Sequence, residues 1–280
     1  MPDPSDPHDD GLCIPEVGEH SKYKHHFIAR YIHAFTTSMK NQKWAGLYYI
    51  DLFAGAGIER LRTSRKLDWG SPMLAARSKD PFTRLYLCER DAEKCDALRQ
   101  RVTQVRPDSH IVQGDAENHA ESIVADVPMG GLSLAFLDPY GLHLKLSTLR
   151  VLCRRRTDLV IFFPDRMDAL RNWAAYYFDN PDSNLDNCLG ADVDWRSRLG
   201  GCLPEKRGEV LRDLYKSQIQ SQLNCPYVDF ERIKTIKGAP LYYLIFCSRH
   251  QFGLKLWQGT SRKKPNGQST FSFDDDTGQE

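Results

Sequence analysis

Apolar residues in this chain fall in short blocks set between polar, glycine- or proline-bearing breaks. From Ser21 to Met39, Phe27, Tyr31, Ile32 and Phe35 recur at the spacing of one helix face, which predicts an amphipathic helix. The runs Gly46–Phe53, Arg84–Glu89, His110–Asp115, Leu132–Asp138 and Thr157–Phe163 each read as a short strand, the last two stopped by Pro139 and Pro164. Helical stretches stand between them, at Asp91–Val105, at Leu146–Arg156, and at one opened by Ser71 as N-cap with Pro72 at the first helical position. Residues 165–224 turn helical and more polar, as an insertion or lid. Tyr227–Ile236 and Leu241–Ser248, either side of Gly238-Ala-Pro240, read as a closing β-hairpin. Residues 1–20 and 259–280 have little to bury and predict flexible tails around one domain, 21–258. Alternating strands and helices imply a largely parallel sheet covered by helices.

Composition narrows the class. A chain of 280 residues can bury one large core, and 41% apolar with 27% charged residues is the balance of a soluble globular protein. No segment reaches the roughly 20 apolar residues of a membrane span, and the acidic, proline-rich stretch Met1–Asp10 is unlike a signal peptide. A net charge of +1 argues against wholesale binding to a polyanion but leaves a local basic cleft open. Two basic clusters, Arg60/Arg62/Arg65/Lys66 and Lys145/Arg150/Arg154–Arg156, are either phosphate contacts or solvated faces. The eight cysteines form no C-x-x-C pair and suggest no zinc site; they read as reduced thiols of a cytoplasmic protein.

The chemistry concentrates where strands end. Asp51-Leu-Phe53-Ala-Gly55-Ala-Gly57 leaves a strand through a turn whose bare glycines let a ligand approach the backbone, or which serves packing alone. Position 60 is Arg60, not the third glycine of a dinucleotide fingerprint. The D-x-F-x-G-x-G form resembles the first motif of class I methyltransferases, which cradles the methionine part of S-adenosylmethionine. In that resemblance Glu89 is the ribose acid, and Asp115 with Ala116 borders the adenine; the other reading of each is an ordinary strand end. Asp138-Pro139-Tyr140-Gly141 resembles the fourth motif of enzymes that methylate exocyclic amines of bases. There Asp138 and the Pro139 carbonyl would accept from the target NH2, and Tyr140 would stack on the base; a plain turn is the other reading. Lys24 and His25, just ahead of the apolar face that begins at Phe27, and Gly141 are the acceptor-side candidates.

Together these motifs, with Gly70-Ser-Pro72, Leu137-Asp-Pro-Tyr-Gly141, Phe163-Pro164 and Tyr242–His250 leading to Trp257, resemble the three-Cys-motif partner family over about residues 21–258. The resemblance implies a Rossmann-like class I methyltransferase fold. Its mostly parallel seven-stranded sheet would end in an antiparallel strand and carry a helical insertion. It further implies S-adenosylmethionine as cofactor and a radical-SAM-like, phage-associated protein with three cysteines as partner. Function is then methyl transfer to an amine nitrogen, with a nucleic-acid base as one acceptor class. The alternative is a non-catalytic partner or regulatory protein on the same fold. A nuclease reading rests only on the partner's phage link and finds no metal-ligand cluster.

Overall fold

The computed structural model describes residues 6–165, 173–181, 183–190, 192–234 and 240–261. A first helix, α1 (Ser21–Met39), leads to β2 (Leu47–Asp51), which is buried along its whole length. Such a strand is covered on both faces, as in parallel sheets flanked by helices. There follow α2 (Ser71–Ala76), β5 (Arg84–Glu89), α3 (Ala92–Val105), β6 (His110–Gln113), α4 (Ala116–Asp126), β7 (Leu132–Leu137), α5 (Leu146–Leu152) and β8 (Arg156–Phe163). The chain closes with α6 (Asn184–Leu189), α7 (Trp195–Gly200), α8 (Arg207–Gln222), β9 (Tyr227–Lys234), β10 (Pro240–Ser248) and α9 (Gln251–Ser261).

The seven-stranded sheet runs β6-β5-β2-β7-β8-β10-β9, and β10 is antiparallel to both of its neighbours. Numbered within the sheet in chain order this is 3-2-1-4-5-7-6, the class I methyltransferase arrangement. Strand alternation divides the core into two layers. Tyr48, Ile50, Ala135, Leu137, Ile161 and Phe163 face one side with α4, α5, α6 and α8. Leu47, Tyr49, Leu134, Phe136 and Val160 face the other, with α1, α2 and α3. Trp173, Tyr177, Trp195, Leu211 and Tyr215 join the first layer, so these aromatics of the helical insertion are core.

Four expectations change. From Asp9 onward the N-terminal stretch is not a free arm. β1 (Glu16–Val17) pairs in parallel with β3 (Ile58–Leu61), which turns back through β4 (Leu67–Trp69). The basic cluster Arg60/Arg62/Arg65/Lys66 therefore lies on a hairpin in a second, three-stranded sheet. Its Arg60 meets Asp9 at 2.7 Å and its Arg65 pairs with Glu16. The α2 cap is Gly70, one residue earlier than the sequence suggests, with Ser71 already inside the helix and Pro72 at its second position. Gly259–Ser261 belong to α9 rather than to a tail. That helix is held by Trp257, fully buried, stacked on Phe246 at 5.3 Å and edge-on to Tyr31 at 5.4 Å. Met1–Ser5, the Gly238-Ala239 turn and Arg262–Glu280 lie outside the described residues.

Candidate functional site

Register gathers the strand-end acids on one edge. Asp51 on β2 is level with Leu87 on β5 and Phe136 on β7, so Glu89 and Asp138 each lie two residues further along adjacent strands. Glu89 is level with Gln113 on β6, which brings Asp115 to the same edge. Ligands of open parallel sheets bind beyond this carboxyl edge.

Asp51 sits beneath the site and does not face it. It is fully buried; its Oδ2 accepts from Ser71 Oγ at 2.6 Å and Tyr49 OH at 3.3 Å, and its Oδ1 from the Phe53 amide at 3.1 Å. Burial pushes its carboxyl up to about 7, although Ser71 and the Phe53 amide pull the other way. Asp51 thus ties the turn to α2. Phe53 is half-buried and packs on the first core layer.

The two glycines divide the work. Gly55 has φ +64°, and a Cβ placed there would meet nothing within 4 Å, so its outer face is open. Gly57 has φ +85°, but a Cβ there would come within 3.2 Å of Met73 Cγ, and its carbonyl accepts from Gly70 N at 2.9 Å. Gly57 therefore serves close packing rather than a ligand.

Glu89 turns toward the open glycine. Its Oε2 accepts from Gly55 N at 2.9 Å and its Oε1 from Asp91 N at 2.9 Å. Each oxygen keeps a further lone pair for a hydroxyl donor. Asp115 is exposed as the N-terminal flank of α4, makes no side-chain cap, and stands 3.9 Å from Arg90; Ala116 begins the helix behind it.

At the end of β7, Asp138 is partly buried, Pro139 is buried, and Tyr140 is 90% exposed. Gly141 follows with φ +60°, which reverses the chain so that Tyr140 projects outward. The Tyr140 ring lies 6.1 Å from that of His143, which Asn184 of α6 contacts at 3.4 Å. A large aromatic left in water beside a carboxylate is a surface for a flat ligand.

Lys24 and His25, adjacent in sequence, reach different places. The Lys24 ammonium, almost buried, is paired with Asp138 Oδ2 and lies 5.4 Å from the Phe162 ring centroid. Burial alone would lower its pKa, but Asp138, Glu59 and Asp51 together raise it above the ordinary lysine value. His25 is buried between Asp68 at 3.3 Å and Glu59 at 3.5 Å, where it ties α1 to the β3–β4 hairpin.

Sequence reasoning missed Phe162 and Tyr242, whose rings lie 4.5 Å apart at the neighbouring strand ends, and Glu59. It also missed Arg101, which donates to Asp10 twice (2.6 and 2.8 Å), to the Cys13 carbonyl at 2.9 Å and to the Ala56 carbonyl at 2.6 Å. This pins the N-terminal strap to the glycine turn. Its acidic partner, Asp10 of the D-P-rich arm, was the available signal.

The second basic cluster is largely satisfied internally. Lys145 pairs with Glu117 at 2.7 Å and Arg154 with Glu121 at 2.5 Å, while Arg155 donates to the Val127 carbonyl at 3.0 Å. Arg154–Arg156 also lie at the start of β8, the edge opposite Asp138. Among the described residues no group of acids, histidines and cysteines could hold a metal, and no helix is long and apolar enough to cross a membrane.

No family profile matches the sequence, and no curated protein does. Solved structures do. Protein LPL1258 from Legionella pneumophila is 10% identical, with a TM-score of 0.51 over 88% of this chain and 94% of that one. The N-terminal domain of human METTL16, solved in complex with SAH, is 12% identical with a TM-score of 0.44 over 87% of this chain and 78% of that one. A human methyltransferase 10 domain-containing protein is 11% identical, with a TM-score of 0.43 over 81% and 83%. At 10% identity the likeness to LPL1258 is one of fold alone.

Proposed function

We propose that the chain is an S-adenosylmethionine-dependent methyltransferase acting on an amine nitrogen, with a nucleic-acid base as the acceptor class. One observation carries the reading. The open Gly55 and the inward-turned Glu89 lie on one strand edge with Asp138 and the water-exposed Tyr140. The residues suit the cofactor: a carboxylate with spare lone pairs can accept both hydroxyls of a ribose, and a glycine without neighbours leaves room for the rest. When bound, the cofactor supplies an electrophilic methyl group on a sulfonium.

The protein's part is holding and aiming. Glu89 anchors the sugar, Gly55 bares its backbone to the amino-acid end, and Asp115 borders the adenine. Asp138 and the Pro139 carbonyl accept from the acceptor amine and so direct its lone pair, while Tyr140 stacks on the ring that carries it. Alignment of this kind accounts for most of the rate gain available to such a reaction. The resemblance to three-Cys-motif partners is compatible with this reading, and co-purification with such a protein tests it.

Methyl-labelled S-adenosylmethionine incubated with RNA, DNA and protein fractions gives the direct check. Label enters one nucleic-acid fraction, and Asp138→Ala lowers transfer by about 100-fold while changing S-adenosylhomocysteine affinity by less than about threefold. Undiminished transfer by Asp138→Ala removes the assignment.

A further inference from the structure

Lys24 reaches Asp138 across 114 positions of sequence, from the first turn of α1 to the end of β7. It is not a surface ion pair: the side chains of Lys24 and Asp138 are only 9% and 21% exposed. The ammonium is held by Asp138 and by the Phe162 face at 5.4 Å, while His25, next in sequence, ties the same helix turn to the carboxylate-bearing β3–β4 hairpin. Glu59 of that hairpin, whose buried Oε2 lies 3.5 Å from His25 Nε2 and accepts no hydrogen bond, also favours the charged lysine. A cation held this way stays charged, in keeping with its raised pKa, and so has no lone pair of its own to offer a methyl donor.

We infer that Lys24 selects the acceptor: by occupying one oxygen of Asp138 with a permanent positive charge, it admits an uncharged amine and turns away a protonated alkylamine. The inference rests on the proposed methyltransferase reading and narrows its substrate. An alkylamine such as a lysine side chain, with a pKa of about 10.4, arrives as an ammonium and meets a like charge in a partly buried site. The exocyclic amine of a nucleobase is neutral at pH 7, needs only one acceptor oxygen, and presents a flat ring to Tyr140. Asp138 left without Lys24 would be an open anionic socket, suited to cations. Lys24 acts through Asp138 and is a positioning residue.

Calorimetry with S-adenosylmethionine, which is cationic at sulfur, and S-adenosylhomocysteine, which is not, reads the charge of the subsite. Lys24→Met raises the ratio of methionine-form to homocysteine-form affinity by about fivefold, Lys24→Arg leaves it within about twofold, and Asp138→Asn lowers it by about fivefold. A purely structural role for the pair gives no such opposite signs. In the second arm, n-butylammonium chloride is titrated into protein loaded with S-adenosylhomocysteine and followed by ligand-detected NMR. It binds saturably to Lys24→Met but not to the wild type or Lys24→Arg.

The inference is overturned if both cofactor forms bind and their ratio is the same in Lys24→Met and Asp138→Asn as in wild type, or if butylammonium binds wild type and Lys24→Met alike. Absence of binding by both cofactor forms to the wild type removes the parent reading, and this inference with it.

Discussion

Asp51 sets a carboxyl where burial disfavours its charged form, and that gives the site a pH signature. Its carboxyl is pushed by burial from 3.8 to about 7, so between those values the folded chain holds a proton that the unfolded chain has released. The native state then binds more protons, and the stability attached to this group is present below about pH 4 and lost as pH rises through 7. Asp158, buried on the same sheet and pushed up to about 6, adds a slope of the same sign. Urea unfolding across pH 5 to 8 checks it: Asp51→Asn flattens the decline in stability, whereas an unchanged slope contradicts the assignment.

At the same scale, Gly57→Ala meets Met73 and a positive φ and lowers stability by about 1–3 kcal/mol. Gly55→Ala shares the φ penalty of roughly 1 kcal/mol, but its methyl group projects into the ligand space, so cofactor affinity falls more than stability does. Thermal melts and calorimetry on the two variants separate these effects. Their spacing along the chain made both glycines visible, with Asp51, Glu89 and Asp138, but not which of them face a ligand. That division depends on Met73, Ser71 and Gly70, whose approach is set by tertiary packing.

At the scale of elements, the N-terminal strap is the part that local patterning misjudges. Residues 9–20 bury little, so they read as disordered, yet Arg101 collects Asp10 and two backbone carbonyls from separate segments. Arg101→Gln is expected to cost about 2–3 kcal/mol, less than a fully buried pair because Asp10 can rehydrate. It should also open the strap to limited proteolysis ahead of β1, a digestion pattern that mass spectrometry reads; intact resistance would sink the role given to Arg101. The hairpin β3–β4 escaped notice because strands of four and three residues give too little alternation to register. Gly253 and Gly259 weaken the helical signal of α9, though Gly253 is needed there: a Cβ would come within 2.7 Å of Ser248 Oγ. By contrast α1, β2, β5 and β7 were legible because each is long or continuously apolar.

Across the whole molecule, the succession of blocks announces parallel strands joined through helices and a final hairpin, while the order 3-2-1-4-5-7-6 is seen only in the folded sheet. What no succession of blocks reveals is that α1 crosses to the end of β7, where Lys24 meets Asp138. The fold therefore does more than present its strand-end acids: it assigns Asp51 to support, Glu89 to the open crevice, and Asp138 to a shared charge. The central claim is that this edge binds an adenosyl cofactor through Glu89. Titration of wild type and Glu89→Ala with S-adenosylhomocysteine tests it most directly. The account requires wild-type binding at about micromolar or tighter, near −8 kcal/mol, and a loss of at least about tenfold in the variant. No measurable binding by the folded wild type, or equal binding by the two proteins, contradicts it.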